Sequence, residues 1–97
     1  MNKLSTQELN SAINSLNNWY IKNNFLTVTY KLESFMKVMS FANLISDKAE
    51  QINHHPKFTI DYNSIVFELT THDEGGITKL DIELAKFIDE TYSELFS

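Results

Sequence analysis

Two periodicities alternate along the chain. Leu9, Ala12, Ile13 and Leu16 recur at spacings of three and four, the signature of one apolar helical face. Ser5-x-x-Glu8 precedes them as a capping box, so the pattern predicts a first helix from Thr6 to Leu16, closed by Asn17-Asn18. Trp19-Tyr20-Ile21 is rich in strand formers, and Asn23-Asn24 supplies two residues that tolerate positive φ in a hairpin turn. Leu26, Val28, Tyr30 and Leu32 then alternate with Thr27, Thr29 and Lys31, as in a half-buried strand.

The period switches again after Ser34, a good N-cap. Phe35, Val38, Ala42, Ile45, Ala49 and Ile52 form one continuous helical stripe, widened by Met39, Phe41 and Leu44. This helix should run from Phe35 to Ile52, with Asn53 as its left-handed end and Pro56 forbidding continuation. Phe58, Ile60 and Tyr62 alternate with Thr59 and Asp61 as a third strand, and Asn63-Ser64 reads as the turn. Ile65, Phe67, Leu69 and Thr71 alternate with Val66, Glu68, Thr70 and His72, a fourth strand that would put His72 on the Glu68 and Thr70 face. Asp73-Glu74-Gly75-Gly76 is a loop. Thr78-x-x-Asp81 is a second capping box, opening a helix faced by Leu80, Leu84, Phe87, Ile88, Thr91 and Leu95.

The predicted order is α-β-β-α-β-β-α. The expectation is a single α+β domain over residues 1–97, a two-layer fold with a four-stranded antiparallel sheet and three helices on one face. The other sheet face would be exposed or given to a partner, and a chain of 97 residues often gains stability by oligomerising. Composition narrows the function. A net charge of -5 disfavours direct nucleic-acid binding. The absence of cysteine removes disulfides, thiolate catalysis and thiolate metal sites. The start turns polar at once, unlike a signal peptide, and no apolar run approaches bilayer length. The expectation is a soluble cytoplasmic protein.

Candidate chemistry is concentrated between Glu50 and Asp81, which holds all three histidines (His54, His55, His72), the only proline and both glycines. The histidines sit at predicted element boundaries, where a rigid scaffold presents functional groups, and imidazole suits proton transfer near neutral pH. Structural readings compete. A polar pair before proline is ordinary loop chemistry, Glu50 can be a solvated helix residue, Asp81 a capping residue and Gly75-Gly76 a connector. A zinc site of the histidines with Glu50, Asp73 or Asp81 ranks below acid–base chemistry: no H-E-x-x-H spacing is present, and adjacent histidines rarely reach one ion. Phosphate-binding glycine loops and a nucleophile elbow are absent.

Glu50, three residues, His54-His55-Pro56, five residues, Tyr62, nine residues, His72, eight residues and Asp81 together resemble the signature of the pterin-4a-carbinolamine dehydratases. Trp19, Phe35 and Leu84-Ala85-x-Phe87-Ile88 are also similar to that family, and the resemblance spans nearly the whole chain. It implies the same element order and dehydration of a 4a-hydroxytetrahydropterin, left by an aromatic amino acid hydroxylase, to quinonoid dihydropterin and water, with no metal or redox cofactor. It implies a catalytic set of His54, His55 and His72, in which His54 and His72 exchange protons and His55 mainly orients the ring. Asn53, Thr70, Thr71 and Asp73 would line the pterin site with them, Pro56 and Tyr62 would position the histidines, and Glu50 and Asp81 would support them. A homodimer or homotetramer is implied as well. Some animal members also stabilise dimers of a homeodomain transcription factor through helix surfaces. The corresponding surface here is the helix from Phe35 to Ile52, and a non-catalytic binding module or pterin-binding accessory protein is the alternative function. The chain departs from several animal members at Asn18, where they carry Gly, and at Asn53, where they carry Asp. Neither change removes a proton-transfer group, although Asn53 gives up one charged hydrogen bond to the pterin edge.

Overall fold

The computed structural model describes residues 2–97. The helices are α1 (Thr6–Asn14), α2 (Phe35–Ile52) and α3 (Lys79–Leu95), and the strands are β1 (Tyr20–Lys22), β2 (Phe25–Lys31), β3 (Lys57–Asp61) and β4 (Ser64–Leu69). A short 3-10 turn at His72–Glu74 precedes α3. The sheet runs β1-β2-β4-β3, antiparallel throughout. This is the expected α+β order of three helices and a four-stranded antiparallel sheet.

Register explains the layering. Leu26 faces Leu69, Val28 faces Phe67 and Tyr30 faces Ile65 across the central pair, while Phe58 and Ile60 of β3 oppose Phe67 and Ile65. A period of two therefore gathers these side chains on one face. Those of β2 and β4 form a single core with Val38, Phe41, Ala42 and Ile45 of α2, Leu84, Ala85 and Ile88 of α3, and Leu16 just beyond α1, while Ile60 packs against its edge and Phe58 stays exposed. Phe41 is wholly buried and meets Tyr30 and Phe67 edge-on, with ring centroids 5.4 and 5.5 Å away. Burial of such a ring contributes about 2–3 kcal/mol. The alternate residues Thr29, Lys31, Lys57, Thr59 and Asp61 fall on the face away from the helices.

Both capping boxes form. Ser5 and Glu8 exchange bonds of 2.9 and 3.1 Å at the start of α1. The Ser5 backbone N–H, then its hydroxyl, holds the Glu8 carboxyl below the usual glutamate range. That stabilisation is present above the unfolded-state value and is lost as pH falls through the lowered one.

Several boundaries differ from the sequence expectation. α1 stops at Asn14, with Ser15 as cap, and Leu16 enters the core from an irregular segment that includes Asn18 at φ 65°. The strand expected from Trp19 begins at Tyr20 because the indole turns into the core. β3 ends at Asp61, not Tyr62, and the hairpin turn is Tyr62-Asn63, not Asn63-Ser64. Pairing of Ile60 with Ile65 and Phe58 with Phe67 fixes the register, which leaves two residues for the turn, and Tyr62 takes φ 52°. The buried face of α3 includes Ile82 and Ala85, while Leu95 is exposed. β4 ends at Leu69, so His72 lies outside the strand.

One tie was invisible to periodicity. Asp89, buried in α3, accepts the Trp19 indole N–H at 2.8 Å and the Tyr30 hydroxyl on Oδ1, and the Asn17 backbone N–H at 2.9 Å on Oδ2. It fastens α3 to β2 and to the segment entering β1. Burial, followed by the hydrogen bond to Asp89, raises the Tyr30 phenol far above its ordinary value of 10.0. A group with a raised folded-state pKa contributes stability that is whole below the unfolded-state value and is lost as pH rises beyond it. Urea titrations should therefore show the wild type losing stability above pH 10.0, with this part of the alkaline slope absent in Tyr30→Phe. At neutral pH the same variant should be less stable by about 1.5–3 kcal/mol, the range for a hydrogen bond to a charged group.

Candidate active site

The site begins where α2 ends. Asn53 adopts the left-handed region (φ 52°, ψ 47°). Its N–H donates to the Glu50 carbonyl at 3.3 Å, while the His54 N–H reaches the Ala49 carbonyl at 3.0 Å. This pair of bonds is a Schellman motif, whose left-handed position is usually glycine and, as here, sometimes asparagine. The reversal sends the two following side chains in different directions. His54 points inward, with its side chain 11% exposed, and its Nε2 lies 2.6 Å from Oδ1 of Asp81. His55 points outward and pairs through Nε2 with Glu50, one turn back in α2. That second pair is largely solvated, so its net contribution to stability is about 0–1 kcal/mol.

Asp81 is fully buried at the start of α3. Its Oδ2 accepts the Thr78 backbone N–H at 2.9 Å and the Thr71 hydroxyl at 2.8 Å. The capping role expected of Asp81 is thus real, and the same carboxylate also holds His54. A carboxylate accepts only, so Nε2–H of His54 donates this bond, and in the neutral ring Nδ1 is then the nitrogen with the free lone pair.

His72 reaches the site on the 3-10 turn and not on the strand predicted for it. Thr71 bridges to Gly76, donating to the Gly76 carbonyl at 3.0 Å and accepting the Gly76 N–H at 3.3 Å. The Glu74 N–H also donates to the Thr71 carbonyl, at 3.0 Å. Gly75 closes the turn at φ 75°, a conformation that a Cβ would strain. Two groups from the first hairpin brace it: Asn24 Nδ2 donates to the Gly75 carbonyl at 3.0 Å, and the Phe25 ring meets the His72 ring edge-on at 6.3 Å. From sequence, Asn24 has only a turn role and Phe25 has none in the site. The one signal was an asparagine turn next to a half-buried aromatic.

Asn53, His54, His55, Thr70, Thr71, His72 and Asp73 line one open cleft of about 260 Å³. It brings together the residues expected to bind substrate, and its volume lies just below the ~300 Å³ lower end of common small-molecule pockets. Pro56 stands between His55 and Lys57, the first residue of β3. Tyr62 does not join: it is exposed in the β3–β4 turn, at the opposite end of β3 from Pro56. A larger hollow of about 650 Å³ runs between α1 and α3 over Leu4, Ala12 and Ile82, but it holds none of the histidines, so chemistry and not size selects the cleft. Among the described residues no three His, Asp or Glu side chains converge as metal ligands. Nor is any helix among them long and apolar enough to cross a membrane.

Comparison with known proteins identifies the family. Residues 2–91 match the family model described as pterin 4 alpha carbinolamine dehydratase. A protein of Sulfurisphaera tokodaii is 42% identical over 90 residues, covering 93% of this chain and 97% of its own length. One from Metallosphaera sedula is 40% identical over 90 residues, covering 93% and 94%. Both carry pterin-4-alpha-carbinolamine dehydratase as a provisional name. The crystal structure of a transcriptional coactivator/pterin dehydratase from Brucella melitensis matches with a TM-score of 0.89 at 31% identity, covering 92% of this chain and 97% of that one. With the family model matched over residues 2–91 and the relatives 42% and 40% identical over 90 residues, the chain belongs to the pterin 4 alpha carbinolamine dehydratase family.

Proposed function

We propose that this protein dehydrates a 4a-hydroxytetrahydropterin to quinonoid dihydropterin and water, a step in recycling the cofactor used by aromatic amino acid hydroxylases that a separate reduction completes. The observation that carries the reading is the meeting of His54 and His72, from separate elements, on one small cleft, with His54 held by a buried carboxylate. In the reaction the C4a–O bond breaks, a C4a=N5 double bond forms and the N5 proton is lost. His54, with Nε2 committed to Asp81, takes the N5 proton on Nδ1. His72, in its protonated form on the exposed turn, gives a proton to the departing hydroxyl. Substrate loses one water, the enzyme proton passes from His72 to His54, and exchange with solvent resets both. His55, braced by Glu50, orients the ring, while Asn53, Thr70 and Asp73 offer polar groups to its amide and amino edge.

Ultraviolet-monitored decay of the 4a-hydroxytetrahydropterin tests these roles. His54→Ala and His72→Ala should each lower kcat by about 10²–10⁴-fold, the usual share of general acid–base catalysis, with the far-ultraviolet dichroism unchanged. The wild-type pH profile should be bell-shaped, the signature of a paired acid and base. Undiminished turnover in both variants would remove the assignment, and pterin binding without rate enhancement would indicate an accessory protein.

A second reading concerns α2. Phe35 (44% exposed), Met36 (69%) and Met39 (39%) crowd its first turns, and clustered apolar exposure of this kind marks interaction surfaces. We infer that the chain self-associates through this face. Light scattering should give the wild type a mass that is a multiple of 11.3 kDa, and Met36→Glu combined with Met39→Glu should return a single chain. A wild-type mass of one chain would exclude the surface as a self-association site.

A further inference from the structure

We propose that Thr71 is a positioning residue that couples the two proton-transfer histidines through Asp81. This deepens the dehydratase reading and rests on it for its catalytic consequence. Lining the cleft, Thr71 would be expected to offer its hydroxyl to substrate, but the structure commits that hydroxyl inward. Oγ1 of Thr71 lies 2.8 Å from Oδ2 of Asp81 and 2.8 Å from Oγ1 of Thr78, which in turn accepts the Leu80 N–H at 3.3 Å. A hydroxyl donates once, and a carboxylate oxygen only accepts. Only one direction gives every contact a proton: Leu80 N–H to Thr78, the Thr78 hydroxyl to Thr71, and the Thr71 hydroxyl to Asp81. Thr78 and Asp81 have no exposed surface, so solvent does not replace a missing link in this chain.

The chain continues to His54 through the other oxygen of Asp81, at 2.6 Å from Nε2. The backbone of Thr71 meanwhile shapes the turn that carries His72, since its carbonyl takes the N–H groups of Glu74 and Gly76. Threonine has two heavy atoms on Cβ, which stiffens χ1, so the place of its hydroxyl and the course of its backbone are linked. One residue is thus bonded to Asp81 by its side chain and to the His72 turn by its main chain. Its effect is to fix the His54 tautomer and the position of His72 together. Partners one step removed from the reacting groups commonly act in this way, orienting the ring and choosing its tautomer.

Thr71→Val keeps the branched shape and removes the hydroxyl, and Thr71→Ser keeps the hydroxyl. Two readouts decide. Long-range proton–nitrogen NMR of the imidazoles should show His54 as a single Nε2-protonated tautomer in the wild type and in Thr71→Ser, and as a mixture of tautomers in Thr71→Val, where the Asp81 carboxylate is no longer held by Thr71 and turns away from Nε2. In the dehydration assay Thr71→Val should lose about 10- to 100-fold in kcat, the cost of a small misplacement of reacting groups, while KM stays within about twofold and Thr71→Ser stays near the wild type. A Thr71→Val protein with wild-type kcat and one tautomer overturns the proposal. So does a raised KM at unchanged kcat, which would make the hydroxyl a substrate contact. If Thr71→Val fails to fold, Thr71→Ala carries the same comparison. If the wild type does not dehydrate the pterin, the dehydratase reading falls, and the tautomer comparison still decides the coupling.

Discussion

A buried carboxylate is costly unless its oxygens are bonded, and at Asp81 that requirement shapes everything around it. With no exposed surface, it takes a backbone N–H from Thr78, a hydroxyl from Thr71 and the Nε2 proton of His54. Each donor comes from a different part of the construction: the N-terminus of α3, the turn after β4 and the end of α2. The α3 dipole favours a negative charge at this end, so the cap and the histidine bond reinforce each other. The cleft therefore has no separate foundation. The group that starts the last helix also aims one histidine and anchors the segment that presents another.

Adjacent residues acquire different surroundings by the same local geometry. His54 and His55 follow one left-handed asparagine, and the reversal buries the first against Asp81 while leaving the second 57% exposed beside Glu50. Asparagine meets the conformational need at low cost. Asn53 thus supplies the turn on which the site depends.

The repeating parts of the fold were legible in the sequence because repetition reports faces. The stripe from Phe35 to Ile52 gave α2 its bounds, and Leu26, Val28 and Tyr30 gave β2 its buried side. Local chemistry was equally plain at Ser5 and Glu8, at Thr78 and Asp81, and at Asn53. Ends were less legible, because cross-strand register decides them: Tyr62 continues an alternating pattern yet falls in the turn, and His72 continues another yet leaves the strand. Long-range polar contacts left no periodic trace. Asp81 read as a cap because its contact with His54 joins residues 27 apart. Asp89 interrupts an apolar face between Ile88 and Tyr92, a hint that a buried acid needs donors, but the donors Trp19 and Tyr30 lie in the first third of the chain.

The two buried acids of α3 divide the helix by task. Asp81 and Asp89 are eight positions apart, about 12 Å along the axis at 1.5 Å per residue. Both are buried, so α3 has a carboxylate near each end of its packed face. Asp89 binds Trp19, Tyr30 and the Asn17 backbone, all of which belong to the scaffold and none to the cleft. Asp81 binds His54 and Thr71, which line it. Distant sites that share no partners act nearly independently on stability. The end of α3 that fastens the sheet can therefore stay intact while the polar chain from Leu80 through Thr78 and Thr71 to Asp81 is loosened, and the histidines can lose their alignment in a protein that remains folded.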